Sequence, residues 1–252
     1  MIEIKFLNNL KFNKPILIEG LPGMGNVGKI AIDFMIEMLQ PKKIFEIYSD
    51  RFPSLVFVDE KNIINMCKIN IYYKKIKGKE YFFVSGDIQP VDEIGIYEFC
   101  DGMLNLFKNC GGKELITLGG IGVENISSKA NVYYASTNLR YNFAAIKKYS
   151  GHYMGPILGV TGILLGLAKK KELKGVCLLA ETNPNPGYIG VHGARELLKV
   201  LNDKYDFGLR INVLDKEIKE IEKEITKKVE KIANATREME YKKVSDSISY
   251  IG

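Results

Sequence analysis

The chain has 252 residues, of which 26% are charged and 46% hydrophobic, with 24 Gly and 8 Pro. This composition excludes a disordered, collagen-like or fibrous protein, and the length suits one α/β domain with an appendage. The formal net charge of +6 is spread along the chain without a basic stripe, and no apolar run approaches the ~20 residues that span a bilayer, so neither nucleic acid nor a membrane is an expected partner.

Short β-rich runs alternate with glycine-punctuated amphipathic stretches, which is the pattern of a layered α/β domain. The first half of the chain begins with a strand over residues 1–12 and a buried strand over 15–20. A helix from Val27 to Leu39 follows and ends at Pro41, because proline cannot continue a helix. Further strands are predicted at 43–49, 55–59, 63–73 and 80–87, with a turn at 75–80.

The second half of the globular region continues the same alternation. It contains predicted helices at 97–110, 158–171 and 193–205, and predicted strands at 114–122, 131–137 and 174–182. The strands after the first helix form hairpin-like runs and not repeating βαβ units. We therefore predict a three-layer α/β domain with a central mixed sheet over residues 1–210.

From Leu214 onward the pattern changes to a narrow apolar stripe with charged residues between its members. The stripe is spaced 4, 3, 4, 4 and 3 residues apart and consists of Leu214, Ile218, Ile221, Ile225, Val229 and Ile232. This spacing predicts a long amphipathic helix over residues 211–244, followed by a flexible tail over 245–252. The stripe packs either on its own domain or against helices of sister subunits in a homo-oligomer.

A glycine-rich loop joins the second strand to the first helix. Gly23, Gly25 and Gly28 satisfy G-x-G-x-x-G in the strand-to-helix context of a dinucleotide site. Gly23 to Lys29 also matches the start of a P-loop, but Ile30 stands where a hydroxyl would hold Mg²⁺. A third interpretation is that the glycines let the turn run close to neighbouring backbone.

Two more glycine loops, at residues 119–125 and 181–190, follow buried strands. Loops at the carboxyl ends of neighbouring strands line one crevice, and the residues that could contact a ligand there are Gly23, Gly25, Asn26, Gly28, Gly120, Gly122 and Glu181. No spacing among the nearby carboxylates, hydroxyls and His192 enforces a catalytic geometry. The four cysteines are isolated and there are only two histidines, so a zinc site is not expected and the thiols fit a reduced, cytoplasmic protein.

Four segments, at residues 17–31, 119–125, 155–169 and 178–186, resemble the archaeal branch of the proteasome assembly chaperone two family, in the family's order. The resemblance covers about residues 15 to 205. It implies a fold similar to that of nucleoside phosphorylases and hydrolases. It also implies an ATP-independent chaperone, not an enzyme, that binds proteasome α subunits or the core particle without a cofactor or metal.

The same resemblance implies a homo-oligomer whose C-terminal helices project tails ending in a hydrophobic-Tyr-any signature. This chain ends with Tyr250, Ile251 and Gly252, so Tyr250 is third from last and Ser249 precedes it. The implied partner-binding residues are Tyr250, Ile251 and the terminal carboxylate of Gly252. Two alternatives remain open, namely a small-molecule or nucleotide-binding enzyme that uses the loop from Gly20 to Lys29, and a structural oligomer whose tail has no role.

Overall fold

The computed structural model describes residues 2–8, 10–124, 129–138 and 150–213. Within these ranges the chain forms strands and α-helices with a short 3₁₀ turn at Met24–Asn26. In chain order they are β1 Ile2–Phe6, β2 Ile16–Glu19, α1 Val27–Leu39, β3 Lys42–Ser49, β4 Val56–Val58, β5 Ile64–Met66, β6 Ile69–Ile76, β7 Lys79–Gly86, α2 Glu93–Asn109, β8 Glu114–Gly122, β9 Val132–Ser136, β10 Ser150–His152, α3 Gly159–Lys170, β11 Lys174–Thr182 and α4 Val191–Tyr205.

One mixed sheet organises the domain, with strand order β1-β3-β6-β7-β2-β8-β11-β9-β10. The strands β7, β2, β8 and β11 run parallel to one another at its centre. β1, β3, β6 and β7 are joined by antiparallel pairing on one side, and β9 pairs antiparallel to β11 on the other. β4 and β5 form a separate two-stranded sheet.

Helices cover both faces of the sheet. α1 packs against α4, and α2 packs against α3. The larger core cluster joins the sheet to the second pair through Phe99, Met103 and Leu104 of α2 and Val160 and Leu164 of α3. The predicted three-layer α/β fold with a mixed central sheet is thereby confirmed.

Several elements differ from the predictions, and the first strand, predicted over residues 1–12, ends at Phe6. α2 begins at Glu93 and not at residue 97, because the side chain of Asp92 caps it by accepting a hydrogen bond from the Gly95 amide at 2.9 Å. The strand predicted at 63–73 divides into β5 and β6 around Cys67, whose buried thiol donates to the Leu55 carbonyl at 3.1 Å. β10 was not predicted at all.

The chain divides into two units, the first ending at Leu209 and the second running from Arg210 to Gly252. Of the second unit the structure describes residues 210–213, of which 211–213 are helical. The predicted helix over 211–244 and tail over 245–252 otherwise lie outside the described residues. Among the helices that the structure describes, none is long and apolar enough to cross a membrane.

Candidate functional site

The three glycine loops meet at one edge of the sheet. β2, β8 and β11 are parallel neighbours, with Glu19 beside Thr117 and Gly122 beside Thr182, so their carboxyl ends point the same way. A cavity of about 940 Å³ opens there. Six of the seven predicted ligand-contact positions line it, namely Gly23, Gly25, Asn26, Gly28, Gly120 and Gly122. The crevice expected from the order of loops along the sequence is present.

Two of these glycines are required by close backbone packing. A Cβ on Gly28 would lie 2.3 Å from the carbonyl oxygen of Leu118, and one on Gly120 would lie 2.3 Å from the carbonyl oxygen of Met24. Real Cβ atoms essentially never approach backbone that closely. The glycines therefore let the strand-to-helix turn rest directly on β8, which is the third interpretation of the motif.

The turn itself has a left-handed backbone at two successive positions. Gly25 has φ +60° and Asn26 has φ +52°. The carbonyl of Gly25 accepts a hydrogen bond from the amide of Gly190 at 2.7 Å, which ties the first glycine loop to the third. Glycine accepts this conformation without the steric cost that a side chain adds. A backbone hydrogen bond thus joins the first loop to the third.

Lys29, the lysine of the P-loop-like motif, is not among the residues that line the cavity. Its ammonium contacts the carboxylate of Asp33 and lies 3.1 Å from that of Asp87. Burial lowers the pKa of Lys29, but the two carboxylates outweigh this effect and raise it above its ordinary value. Because the cation is already paired with two anions, a phosphate group would have to displace them.

The part of the cavity wall that the structure describes carries no charged side chain. Among the lining residues in the described part of the chain, none is Asp, Glu, Lys, Arg or His. The polar side chains are those of Asn26, Gln89, Tyr153, Thr161, Asn185 and Tyr188, and the remainder are apolar or glycine. Gln89 ties two walls together, since its amide donates to the Pro22 carbonyl at 2.7 Å and its oxygen accepts from the Val160 amide at 3.3 Å. This surface suits an uncharged occupant better than a phosphorylated one.

Glu19 is a buried acid beneath this crevice that the sequence analysis did not single out. It ends β2 and is 1% exposed. Burial raises the pKa of its carboxyl to about 8, although the Leu21 amide and the Thr161 side chain donate hydrogen bonds that partly offset the effect. The group is therefore mostly protonated at pH 7. The available signal in the sequence was a lone acidic residue closing an otherwise apolar strand.

Glu181 is the one predicted ligand-contact position that is not among the residues lining the cavity. Its carboxylate accepts hydrogen bonds from the Asn131 amide at 2.9 Å, the Asn131 side chain at 3.0 Å and the Tyr133 hydroxyl at 2.8 Å. Burial alone raises the pKa of Glu181, but these donors bring it below its ordinary value. The ionised carboxylate of Glu181 thus links β11 to β9 through these hydrogen bonds.

The remaining predicted site residues lie outside the described part of the chain. They are the stripe residues Leu214, Ile218, Ile221, Ile225, Val229 and Ile232 and the tail residues Tyr250, Ile251 and Gly252. Their roles in oligomerisation and partner binding stay predictions. Within the described residues, no cluster of three or more His, Cys, Asp or Glu side chains could hold a metal ion.

Known proteins resemble this chain over most of its length. A Methanocaldococcus jannaschii protein designated MJ1210 is 30% identical over 220 residues, which is 84% of this chain and 82% of that protein. PbaB from Pyrococcus furiosus, an archaeal proteasome activator, is 30% identical and matches with a TM-score of 0.82 over 91% of this chain and 98% of its own.

A second Pyrococcus furiosus protein, PbaA, an archaeal homolog of proteasome-assembly chaperone, is 24% identical and supports the fold alone. It matches with a TM-score of 0.75 over 95% of this chain and 97% of its own. The model of the PAC2 family matches residues 17–229. That span includes the strands, glycine loops and helices that form the crevice. The predicted family is confirmed, and the chain belongs to the PAC2 family.

Proposed function

We propose that this protein is an ATP-independent chaperone that binds proteasome α subunits and assists assembly of the core particle or docks on it. The observation that carries the proposal is the likeness to PbaB, a proteasome activator, at 30% identity over nearly its whole length. The family assignment points the same way.

The residues that line the crevice support a chaperone that acts without binding a nucleotide. Its described lining carries no cationic side chain for a phosphate, and the nearby Lys29 is paired with Asp33 and Asp87. A nucleotide site normally sets cationic and backbone donors around the phosphates. The glycine motif is explained by the contact of the turn with β8, so it does not require a nucleotide.

Docking is assigned to the C-terminal tail. Tyr250 and Ile251 supply apolar anchors, and the carboxylate of Gly252 supplies an anion for a lysine of the partner. One such tail binds weakly, but tails on several subunits of a homo-oligomer act together, since each bound tail raises the effective concentration of the next. The stripe from Leu214 to Ile232 is the proposed seam between subunits.

A capture experiment tests this proposal. The intact chain and a chain lacking residues 245–252 are used to capture isolated proteasome α subunits and assembled core particle. We expect the intact chain to capture them and the truncated chain not to, whereas the oligomer mass is expected to be the same for both. A Tyr250→Ala variant is expected to lose most of the capture, whereas the matched Tyr241→Ala variant is expected to retain it. Full capture by the truncated chain contradicts the tail assignment, and no capture by either form contradicts the partner.

The cavity favours a second candidate function, namely binding of a small molecule. A volume of about 940 Å³ lies within the range of ligand pockets, and six predicted positions converge on it. Thermal unfolding with ATP and with adenosine as probes separates the candidates, because a ligand at about 100 times its dissociation constant stabilises the folded state by about 2.7 kcal/mol. The chaperone proposal predicts that ATP does not change the melting temperature. A rise in melting temperature with either probe that is lost on substitution of Thr161 favours the second candidate.

A further inference from the structure

The cavity at the ends of β2, β8 and β11 reaches from an apolar mouth down to the core of the domain. Leu21, Leu118 and Leu179 line it and are only 0–4% exposed, so its floor consists of buried side chains. At its mouth, Val91 and Leu158 are 74% and 81% exposed. A cavity that extends from solvent to the core can enclose most of the surface of a small molecule, as ligand pockets do.

The described walls of the cavity are held in place without an occupant. Five of the eight prolines of the chain line it, and each fixes its own φ and offers no amide hydrogen. The Tyr153 hydroxyl donates to the Pro156 carbonyl at 2.9 Å, and the Asn185 side-chain oxygen accepts from the Gly187 amide at 3.0 Å. These contacts add to those of Gln89. A preformed site of this kind loses little conformational entropy when a ligand binds.

Two further polar side chains line the cavity and come from opposite faces of the sheet. Asn26 directly precedes α1, whereas Thr161 lies in the first turn of α3, which packs with α2 on the other face. The Asn26 side chain makes no capping hydrogen bond to α1. A carboxamide offers both donors and an acceptor, and a hydroxyl offers one donor and an acceptor. An occupant can therefore form hydrogen bonds at both of these walls.

Thr161 is backed by a buried acid. Its side chain lines the cavity and also donates a hydrogen bond to the carboxyl of Glu19. Oε1 of Glu19 accepts from the Leu21 amide at 2.9 Å, whereas Oε2 is buried and has no hydrogen-bond partner among the described residues. Because the pKa of Glu19 is raised to about 8 by burial, the acid is mostly neutral at pH 7. It thus places a polar group, but little charge, behind this wall.

We propose that the cavity binds an uncharged, largely apolar small molecule that carries an amide or a similar donor–acceptor group, which Asn26 and Thr161 hold by hydrogen bonds. An amide suits both anchors because each of them can donate and accept. A charged molecule is disfavoured, because the described lining has no ionised side chain to pair with it. This ligand class rests on the second candidate function, the binding of a small molecule, and does not depend on tail docking.

Three probes that share one apolar body test the ligand class. Naphthalene-2-carboxamide is neutral, 2-naphthoate is an anion and naphthalene-2-carboxamidine is a cation. Ligand-observed NMR titration with the full-length chain gives the Kd of each. We expect the carboxamide to bind at least about tenfold more tightly than either ion, because an ion that enters this cavity loses hydration that no lining charge replaces. Equal or tighter binding of either ion, or no binding of the carboxamide, overturns the proposal.

Two matched pairs of variants test the anchors. Asn26→Gly removes the carboxamide at a backbone φ of +52°, which glycine accepts, and its control Asn62→Gly makes the same change at φ +60° outside the cavity. Thr161→Val removes a hydroxyl that lines the cavity, whereas its control Thr182→Val removes a buried hydroxyl that does not line it. We expect Asn26→Gly and Thr161→Val each to weaken carboxamide binding roughly fivefold, the effect of one neutral hydrogen bond, and the controls to leave it unchanged.

Two readouts separate the ligand site from the tail. The melting temperature without ligand shows that each variant is folded. If folded Asn26→Gly and Thr161→Val chains bind the carboxamide as tightly as the wild type, the proposal is overturned. If the carboxamide does not bind and Asn26→Gly captures less of the proteasome α subunits, the cavity belongs to a protein partner instead. Loss of tail-dependent capture with an unchanged Kd for the carboxamide would contradict only the proposed function.

Discussion

The protonated Glu19 makes the stability of this protein fall as pH rises. Its pKa is about 8 in the folded state against an ordinary 4.5, so the folded state holds a proton that the unfolded state releases above pH 4.5. The contribution is fully present below pH 4.5 and is lost as pH rises through about 8. At about 1.4 kcal/mol per pKa unit, the difference between the two pKa values corresponds to roughly 5 kcal/mol of folding stability. About 3 kcal/mol of this stability is lost between pH 5 and pH 8.

Glu19→Gln isolates this effect, because glutamine keeps the size and the carbonyl acceptor for Leu21 but does not titrate. Urea unfolding of both chains at pH 5, 6, 7 and 8 gives the difference in their free energies of unfolding, in which all other titrating groups cancel. The chain has no Trp, so circular dichroism is the suitable signal. We expect the variant to gain about 3 kcal/mol relative to the wild type from pH 5 to pH 8. A difference that does not change with pH refutes a protonated Glu19.

The other predictions concern positions near the crevice and in the core. Glu181→Gln is expected to show the opposite pH dependence, since the pKa of Glu181 lies below its ordinary value of 4.5. In a urea series extended below pH 4.5, the stability of the wild type relative to the variant should fall as pH drops below the unfolded pKa. Gly28→Ala is expected to cost more than about 2 kcal/mol, because its Cβ would meet the Leu118 oxygen. Its control, Gly166→Ala, has open space and a helical backbone and should gain roughly 0.5–1 kcal/mol; equal melting temperatures for the two variants would contradict the packing account. Phe207→Ala should lose about 3–5 kcal/mol, since this buried ring packs 4.9 Å from that of Tyr81; calorimetry showing a loss under 1 kcal/mol would be inconsistent with that contact.

The elements whose signals are local could be predicted closely. α1 occupies residues 27–39 as expected, and β8 and β11 have the predicted bounds. The turn predicted at 75–80 joins β6 to β7 through Lys77 and Gly78, both with positive φ. Apolar periodicity, proline and glycine act within a few residues of themselves, so one sequence suffices to locate them.

The candidate site could be predicted in its position but not in its chemistry. Three glycine loops after buried strands were enough to place Gly25, Gly28 and Gly120 in one crevice, because strand ends meet at one edge of a sheet. The reason that glycine is needed at these positions is a long-range contact. The atoms that exclude a Cβ at Gly28 and Gly120 belong to Leu118 and Met24. The sequence motif could not separate this packing from phosphate binding.

What the sequence determined by itself is the family, the alternation of strands and helices and the positions of the glycine loops. Only the tertiary structure decided which charges are neutralised and which faces stay open. Glu19 is protonated because β2 lies at the centre of the sheet. Burial lowers the pKa of Lys29, but the carboxylates of Asp33 and of Asp87, which comes from the end of β7, together raise it. The pairing of β4 with β5 places Val56, Val58, Ile64 and Met66 on one exposed face. Burial and charge pairing depend on residues far apart along the chain, and only the folded chain brings those residues together.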